Sequence, residues 1–174
     1  KSSLHYRHFM KTEEEMLQQL AACCATKECC LQELRQKLIK AELADDAIDR
    51  ILGKLQAQHF VDEARYARAF INDKYRFNKW GRIKISYELG RKGITSAVRQ
   101  EAMEVIDEAQ YEALLTDLLR TKLQSTKARN GRELAQKLYR FAASRGFESE
   151  LIIQSIYKIS HTDDEDSLDM SDMD

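Results

Sequence analysis

Apolar residues recur three and four positions apart along almost the whole chain, a spacing that places them on one face of an α-helix. The clearest stripe is formed by Ile48, Ile51, Leu52 and Leu55, and Asp45 just before it is a suitable N-cap residue. The sequence has no proline and only six glycines, so few positions would interrupt a helix. The pattern predicts an all-α fold.

Capping residues predict two further helix starts. Thr12 and Glu15 have the spacing of a capping box, in which each side chain bonds the backbone N–H of the other residue. Asp62 is predicted to cap a helix that carries Tyr66 and Phe70, because its carboxylate can accept hydrogen bonds from the free amides of a first turn.

The apolar stripes also repeat at a period of roughly 50 residues. Three sets align: Leu34, Leu38, Leu43, Leu52 and Leu55; Ile85, Leu89, Ile94, Met103 and Ile106; and Leu138, Ala142, Phe147, Ile156 and Ile159. Gly93 and Gly146 take matching places in the second and third sets, where glycine can adopt the left-handed conformation that ends a helix. The sequence therefore predicts three tandem three-helix repeats, at residues 10–59, 60–109 and 110–160.

One such unit buries little apolar surface by itself, so neighbouring units must cover each other, which favours an elongated, curved array. After this array, residues 163–174 contain seven acids and no base. Residues 161–174 are predicted to form an acidic disordered tail. Two roles for the tail stay open: competition with a polyanion for basic residues, and solubility.

Composition changes this picture through the distribution of charge. The net charge is only -1, but residues 64–100 contain ten Lys and Arg against two acids, and residues 120–145 contain eight against one. Aromatic residues are interleaved with the first basic segment. Such a surface suits a polyanion or an acidic protein, although a charge run can also be a solvated helix face.

The basic segments supply the candidate contact residues. In the second unit these are Arg65, Arg68, Lys74, Arg76, Lys79, Trp80, Arg82, Lys84, Arg91 and Lys92, and in the third unit Arg132 and Arg140 within a wider set of Arg129, Lys137 and Arg145. Arginine offers a fork of donors to phosphate or carboxylate, and lysine acts as a point charge. Trp80 has two interpretations, a plug between units or an exposed contact. Tyr66, Phe70 and Ile83 are predicted to be core.

No catalytic, cofactor or metal site is predicted. The four cysteines are Cys23, Cys24, Cys29 and Cys30, and adjacent cysteines point about 100° apart on a helix, which suits packing at a helix junction better than zinc. The histidines His5, His8, His59 and His161 have no evident partner, and there is no Gly-rich phosphate loop or H-E-x-x-H motif.

No segment approaches the length of a membrane span, and residues 1–10 lack the apolar stretch of a signal peptide. The sequence therefore predicts a cytoplasmic protein without membrane contact, and we expect a monomer.

Two motifs in order carry a resemblance to a known family. They are FVDEARYARAF at residues 60–70, and GRI at 81–83 followed by YELGRKGI at 87–94. The chain resembles the RecX family of bacterial recombination regulators, whose fold is likewise three tandem three-helix repeats. It departs from the family pattern at Glu63, where aspartate is typical, and at Cys29-Cys30, where an Arg-Ser pair is expected.

The resemblance implies a regulator that lies along the groove of the RecA recombinase filament, contacts both the RecA subunits and the single-stranded DNA within it, and restrains ATP hydrolysis, strand exchange and coprotease action. Two alternatives remain open from the residues alone. One is a general helical DNA- or RNA-binding protein that acts independently of RecA. The other is a scaffold without DNA contact.

Overall fold

The computed structural model describes residues 11–165, and the side chains of residues 11–161. Within this range the chain forms nine α-helices and no strand. The helices are α1 (Glu13–Thr26), α2 (Leu31–Lys40), α3 (Asp45–Ala57), α4 (Glu63–Arg76), α5 (Arg82–Arg91), α6 (Ser96–Ala102), α7 (Glu108–Ser125), α8 (Gly131–Ser144) and α9 (Ser149–Glu165), with a 3₁₀ turn at Met103–Val105 after α6.

Two of the three predicted helix starts are confirmed. Thr12 and Glu15 form the reciprocal capping box of α1, with distances of 3.2 and 2.8 Å between side-chain oxygen and backbone nitrogen. Asp62 accepts a hydrogen bond from the backbone N–H of Arg65 at 2.9 Å. The N-cap assigned to Asp45 is wrong, because Ala44 is the N-cap of α3 and Asp45 is its first helical residue. A carboxylate in the first turn still interacts favourably with the helix dipole.

The predicted all-α repeat fold is confirmed. The helices pack in threes: α1 and α2 on α3, α5 and α6 on α4, and α8 and α9 on α7; we call these unit 1, unit 2 and unit 3. Matching positions are buried in all three, as Leu34, Ile85 and Leu138 illustrate.

The unit limits at 59 and 109 stay predictions. Helix α7 begins at Glu108, and α9 continues to Glu165, inside the segment 161–174 predicted as a tail, of which 166–174 lies outside the described residues.

The buried side chains form two clusters. One lies in unit 1 and includes Leu34 and Leu55, and the other is continuous through units 2 and 3, from Ile71 to Ile159. Two residues pack in the cluster of a neighbouring unit. Val61, which precedes α4, packs in the unit 1 cluster, and Cys30, which precedes α2, packs in the cluster of units 2 and 3. Units 2 and 3 therefore share one core.

Cysteine packing is confirmed. Cys24, Cys29 and Cys30 are buried, and burial followed by the neighbouring Cys24 thiol raises the pKa of Cys29 to about 12. A thiol with so high a pKa is protonated at neutral pH and is a poor nucleophile or metal ligand. Within residues 11–165, His, Cys, Asp and Glu form no group of three that could hold a metal ion; His5 and His8 lie outside that range.

Units meet where the start of one middle helix touches the end of the next. Between units 2 and 3, the N–H of Gly81 donates to the carbonyl of Arg145 at 2.8 Å, and the N–H of Ile83 donates to the carbonyl of Gly146 at 3.0 Å. A Cβ on Gly81 would overlap the backbone of Gly146, and a Cβ on Gly146 would overlap the backbone of Lys84. We call this close contact the 2–3 junction.

The equivalent contact between units 1 and 2, the 1–2 junction, uses side chains. The thiol of Cys30 donates to the carbonyl of Lys92 at 3.1 Å. The amide of Gln32, with its nitrogen turned toward α5, donates to the carbonyls of Lys92 and Arg91 at 3.0 and 2.8 Å. Gly93 has a φ of +80° and Gly146 a φ of +89°, so the shared glycine helix stops are confirmed.

Candidate functional surface

A row of alternating rings and cations lies on unit 2. The Nζ of Lys74 is 5.4 Å from the centre of the Phe70 ring and 5.2 Å from that of Trp80. The Nζ of Lys84 is 4.4 Å from the centre of the same Trp80 ring. Helix α4 provides Phe70 and Lys74, α5 provides Lys84, and Trp80 lies in the link between them.

The same arrangement continues on unit 3. Arg145 and Lys122 lie over the Phe141 ring, at 5.2 and 5.0 Å from its centre. Arg145 also donates from Nη1 to the carbonyl of Asn78, two residues before Trp80, at 3.0 Å. We call this surface the cation–aromatic seam; its residues are Phe70, Lys74, Trp80, Lys84, Lys122, Phe141 and Arg145.

Trp80 combines both of its predicted interpretations. Its ring is partly buried and packs against the core shared by units 2 and 3. The part that remains accessible lies beside Lys74 and Lys84. Phe70 and Phe141 are likewise half-buried against that core. The four cations beside these rings, Lys74, Lys84, Lys122 and Arg145, are themselves only partly exposed.

Arg65 and Lys92 form ion pairs across the 1–2 junction. Arg65 Nε lies 2.6 Å from Oε1 of Glu28, and Lys92 Nζ lies 2.5 Å from Oε1 of Glu33. These carboxylates are the main reason that the pKa of each cation is raised above its usual value. Lys92 is also 5.8 Å from the centre of the Phe70 ring, so it borders the cation–aromatic seam.

Arg82 joins three helices at the 2–3 junction. Its guanidinium binds Glu148 at 3.2 Å and also pairs with Glu108, and it lies 4.0 Å from the centre of the Tyr111 ring. The Tyr111 hydroxyl accepts a hydrogen bond from the backbone N–H of Arg82 at 2.9 Å, and it donates one to the carboxylate of Glu148 at 2.7 Å. Burial lowers the pKa of Arg82, but the two carboxylates raise it by more. Its side chain is only 23% exposed.

The other candidate residues of unit 2 have more accessible side chains. Arg76 and Lys79 are exposed at the end of α4, where Arg76 Nε donates to the Tyr75 hydroxyl at 3.0 Å. Arg91 is exposed at the end of α5, and Arg68 is partly exposed in the middle of α4. These four provide accessible positive charge on unit 2, but Arg68 and Arg76 lie two residues from Phe70 and Lys74 and so point to the other side of α4.

The structure separates the unit 3 candidates. Arg132 and Arg140 are exposed and line a groove with Tyr139 and Ile153, between α8 and α9. Because successive helical residues turn by 100°, Arg132 lies about 180° around α8 from Phe141.

Of the wider set, Arg129 and Lys137 pair with Glu133 and draw the pKa of that carboxyl down to about 2. Only Arg145 of these cations belongs to the cation–aromatic seam.

The prediction that Ile83 is core is wrong, since 57% of its surface is exposed. Tyr66 is buried, and Phe70 is partly buried. Helix α5 begins at Arg82 and buries Ile85 and Leu89, which turns Ile83 toward solvent. Ile83 lies two residues before Ile85, about 200° around the helix, so the face that buries Ile85 leaves Ile83 exposed.

Sequence reasoning missed Lys122 and Phe141. A signal was present, because Phe70 with Lys74, Trp80 with Lys84 and Phe141 with Arg145 are each four residues apart. Aromatic and cationic side chains at that spacing meet on one helix face, as Phe70 and Lys74 do on α4; Trp80 precedes α5, so its contact with Lys84 depends on the conformation of the link. The position of Lys122 depends on how α7 packs beside α8 and carries no such local signal.

Half-buried rings beside cations suit a flexible polyanion. A cation–ring contact at an exposed site contributes about 0.5 to 1 kcal/mol. Lysine and arginine donors can bind phosphates, and aromatic ring faces can stack on bases. Lys74 also pairs with Asp73 at 3.7 Å, so a phosphate there would compete with that carboxylate. No helix in residues 11–165 is both long and apolar enough to cross a membrane.

Models of two protein domains match the chain. The model of the second three-helix domain of RecX matches residues 62–103, and that of the third three-helix domain matches residues 108–156. These matches fall in units 2 and 3, which share one core and carry the cation–aromatic seam.

Relatives and solved structures agree with these matches. The regulatory protein RecX of Prosthecochloris aestuarii is 30% identical over 125 residues, which are 72% of this chain and 80% of that protein. RecX of Clostridium beijerinckii is 29% identical over 91% of this chain and 73% of that protein. A crystal structure of RecX from Lactobacillus salivarius shares the fold, with a TM-score of 0.77 over 85% of this chain and 96% of that one, at 16% identity. The chain therefore belongs to the RecX family.

Proposed function

We propose that this protein is a non-enzymatic regulator that binds the RecA–DNA filament and inhibits the recombinase ATPase, strand exchange and coprotease activities, in DNA repair and recombination. Membership of a family whose named relatives are regulatory proteins supports the regulatory role. The observation that carries the proposal is the cation–aromatic seam, because it runs across two units and could follow a long polyanion. A DNA-bound recombinase as partner would make the cytoplasm its place of action.

The contact residues that we propose fall into two groups. The seam contributes Lys74, Trp80, Lys84 and Arg145, and unit 2 offers Arg68, Arg76, Lys79 and Arg91 as further contacts outside it. Arg65, Arg82 and Lys92 are bonded across unit junctions, so we assign them to holding the units in place. Arg132 and Arg140 would form a separate contact from the α8–α9 groove.

A filament-binding experiment tests this function. The protein is titrated against fluorescent single-stranded DNA, either bare or covered by RecA with a slowly hydrolysed ATP analogue. We expect this protein to bind the filament more tightly than bare single-stranded DNA, and to bind it as a monomer. Equal affinity for both, with unchanged RecA ATPase, would instead support a general DNA- or RNA-binding protein, which the cation–aromatic seam alone would also suit.

The salt dependence of binding tests the assignment of phosphate contacts. Each neutralised phosphate of single-stranded DNA contributes a slope of about -0.7 to the logarithmic dependence of affinity on salt. Replacing Lys84 with Gln should therefore reduce the slope for filament binding. A slope unchanged in the Lys74, Lys84 and Arg145 variants would exclude the seam from phosphate contact.

A further inference from the structure

The outward face of α5 carries large apolar side chains. Ile83 is 57% exposed and Tyr87 is 65% exposed, and they lie one helical turn apart. Arg91 continues the same face one turn later, while Ile85 and Leu89 bury the opposite face. Exposed neighbouring apolar side chains of this size are typical of interaction sites.

The repeat offers an internal comparison for this face. In unit 1 the positions that match Ile83 and Tyr87 are Gln32 and Gln36, and in unit 3 they are Gln136 and Arg140. All four of these residues are polar and exposed. The repeat fold therefore forms without apolar residues at these positions, and packing does not explain Ile83 and Tyr87.

Cations surround the apolar pair. Lys84 and Arg91 flank it along α5, and Arg99 of α6 borders the groove beside it. Arg99 is held in place by the Ile94 carbonyl and the Ser86 hydroxyl. The only acid on α5 is Glu88, which lies 3.5 Å from Arg91. The surface thus combines an apolar centre with a positive rim.

We infer that this α5 surface binds an acidic protein segment with apolar side chains, and that in the filament this segment belongs to the recombinase subunit. The inference rests on the proposed function. Aliphatic Ile83 offers neither stacking nor a hydrogen bond to a nucleic acid, whereas an apolar side chain of a protein partner can cover it. The positive rim favours carboxylates around that apolar contact. The α5 surface and the cation–aromatic seam then hold different components of one filament.

The test replaces Ile83 and Tyr87 together with Gln, the residue at both matching positions of unit 1. Ile39→Gln is the matched control, because Ile39 is 49% exposed on α2 of unit 1. Each variant is titrated against RecA–DNA filaments and against bare single-stranded DNA, with thermal unfolding to check the fold. We expect the double variant to bind filaments about tenfold more weakly while its affinity for bare DNA stays within twofold and the control behaves as the wild type.

Three outcomes would overturn the inference. Unchanged filament binding by the double variant would show that the α5 surface is unused. A parallel loss of filament and bare-DNA binding would assign the surface to nucleic acid. A wild-type dimer that becomes a monomer in the double variant, seen by light scattering, would assign it to a second copy. Failure of the proposed function is distinguishable, because the wild type itself would then show no preference for filaments.

Discussion

At the 2–3 junction the start of α5 meets the end of α8 through two backbone hydrogen bonds, whereas at the 1–2 junction the start of α2 meets the end of α5 through the side chains of Cys30 and Gln32. The backbones approach so closely at the 2–3 junction that Gly81 has no room for a Cβ. Units 2 and 3 share a core, and unit 1 has its own.

This comparison shows that one repeat geometry can be built with two kinds of contact. Backbone contacts demand glycine and tolerate almost no substitution, since added atoms would overlap main chain. Side-chain contacts leave more space: the nearest atom to a Cβ on Gly93 is Gln32 Cβ at 3.8 Å. We therefore expect units 2 and 3 to unfold together. The 1–2 junction should tolerate more substitutions and be more sensitive to salt, because ion pairs contribute to it.

Replacing Gly146 with Ala should have the largest effect. The left-handed backbone costs about 1 kcal/mol for alanine, and overlap with Lys84 adds about 2 kcal/mol. Gly93→Ala is the matched control, because Gly93 has a similar φ but free space, and should cost about 1 kcal/mol. Urea unfolding measures both. Equal losses would mean that the two junctions are equally open.

Arg82→Met should have the next largest effect, about 2 kcal/mol, because Glu148 and Tyr111 lose a charged partner in a partly buried network. Lys92→Met, at the 1–2 junction, should cost less than about 1 kcal/mol, since it removes a single ion pair that water and salt screen. Unfolding at low salt and in 1 M NaCl distinguishes them. A Lys92 effect as large and as salt-independent as that of Arg82 would contradict the comparison.

The N-cap residues Asp62 of α4 and Asp107 of α7 should contribute equally to the free energy of unfolding. Asp62 and Asp107 each accept the N–H of the residue three positions later at 2.9 Å, so each alanine variant should lose about 1 kcal/mol at pH 7. The Arg65 N–H, which bonds the Asp62 carboxylate, lowers the pKa of Asp62 in the folded protein. The stabilisation is then full above the unfolded-state pKa, about 3.9, and is lost as the pH falls through the lower folded-state value. An Asp62→Ala loss that persisted at pH 2 would contradict this.

Cys30→Ser should cost about 1 kcal/mol, because the side chain is fully buried in the core shared by units 2 and 3 but its hydrogen bond can be kept. A serine hydroxyl can donate to the Lys92 carbonyl as the thiol does, and Gln32 supplies a second donor to the same oxygen. Thermal unfolding measures the change, with Cys29→Ser in the unit 1 core as a comparison. A loss above about 2 kcal/mol would mean that Cys30 acts through apolar packing.

Local patterns in the sequence were sufficient for the repeats and for the caps at Thr12 and Asp62, because both depend on residues within one turn or one stripe. They failed at Ile83, which lies about 200° around α5 from the buried Ile85 and was nevertheless assigned to the core. The roles of Arg65 and Arg82 also escaped sequence reasoning, since their partners Glu28 and Glu148 lie in other units. The seam pairs four residues apart were predictable in principle, but their alignment across α5 and α8 requires the tertiary structure.

The most direct test of the filament-regulator proposal is the ATPase rate of RecA on single-stranded DNA, with this protein below the RecA concentration. The wild type should lower the rate. Lys74→Glu combined with Lys84→Glu, which reverses the charge of the two lysines beside Trp80, should abolish the effect. The control combines Lys37→Glu and Lys54→Glu, two exposed lysines of unit 1, and should inhibit as the wild type does. An unaltered rate with the wild type, or equal inhibition by both double variants, would contradict the account.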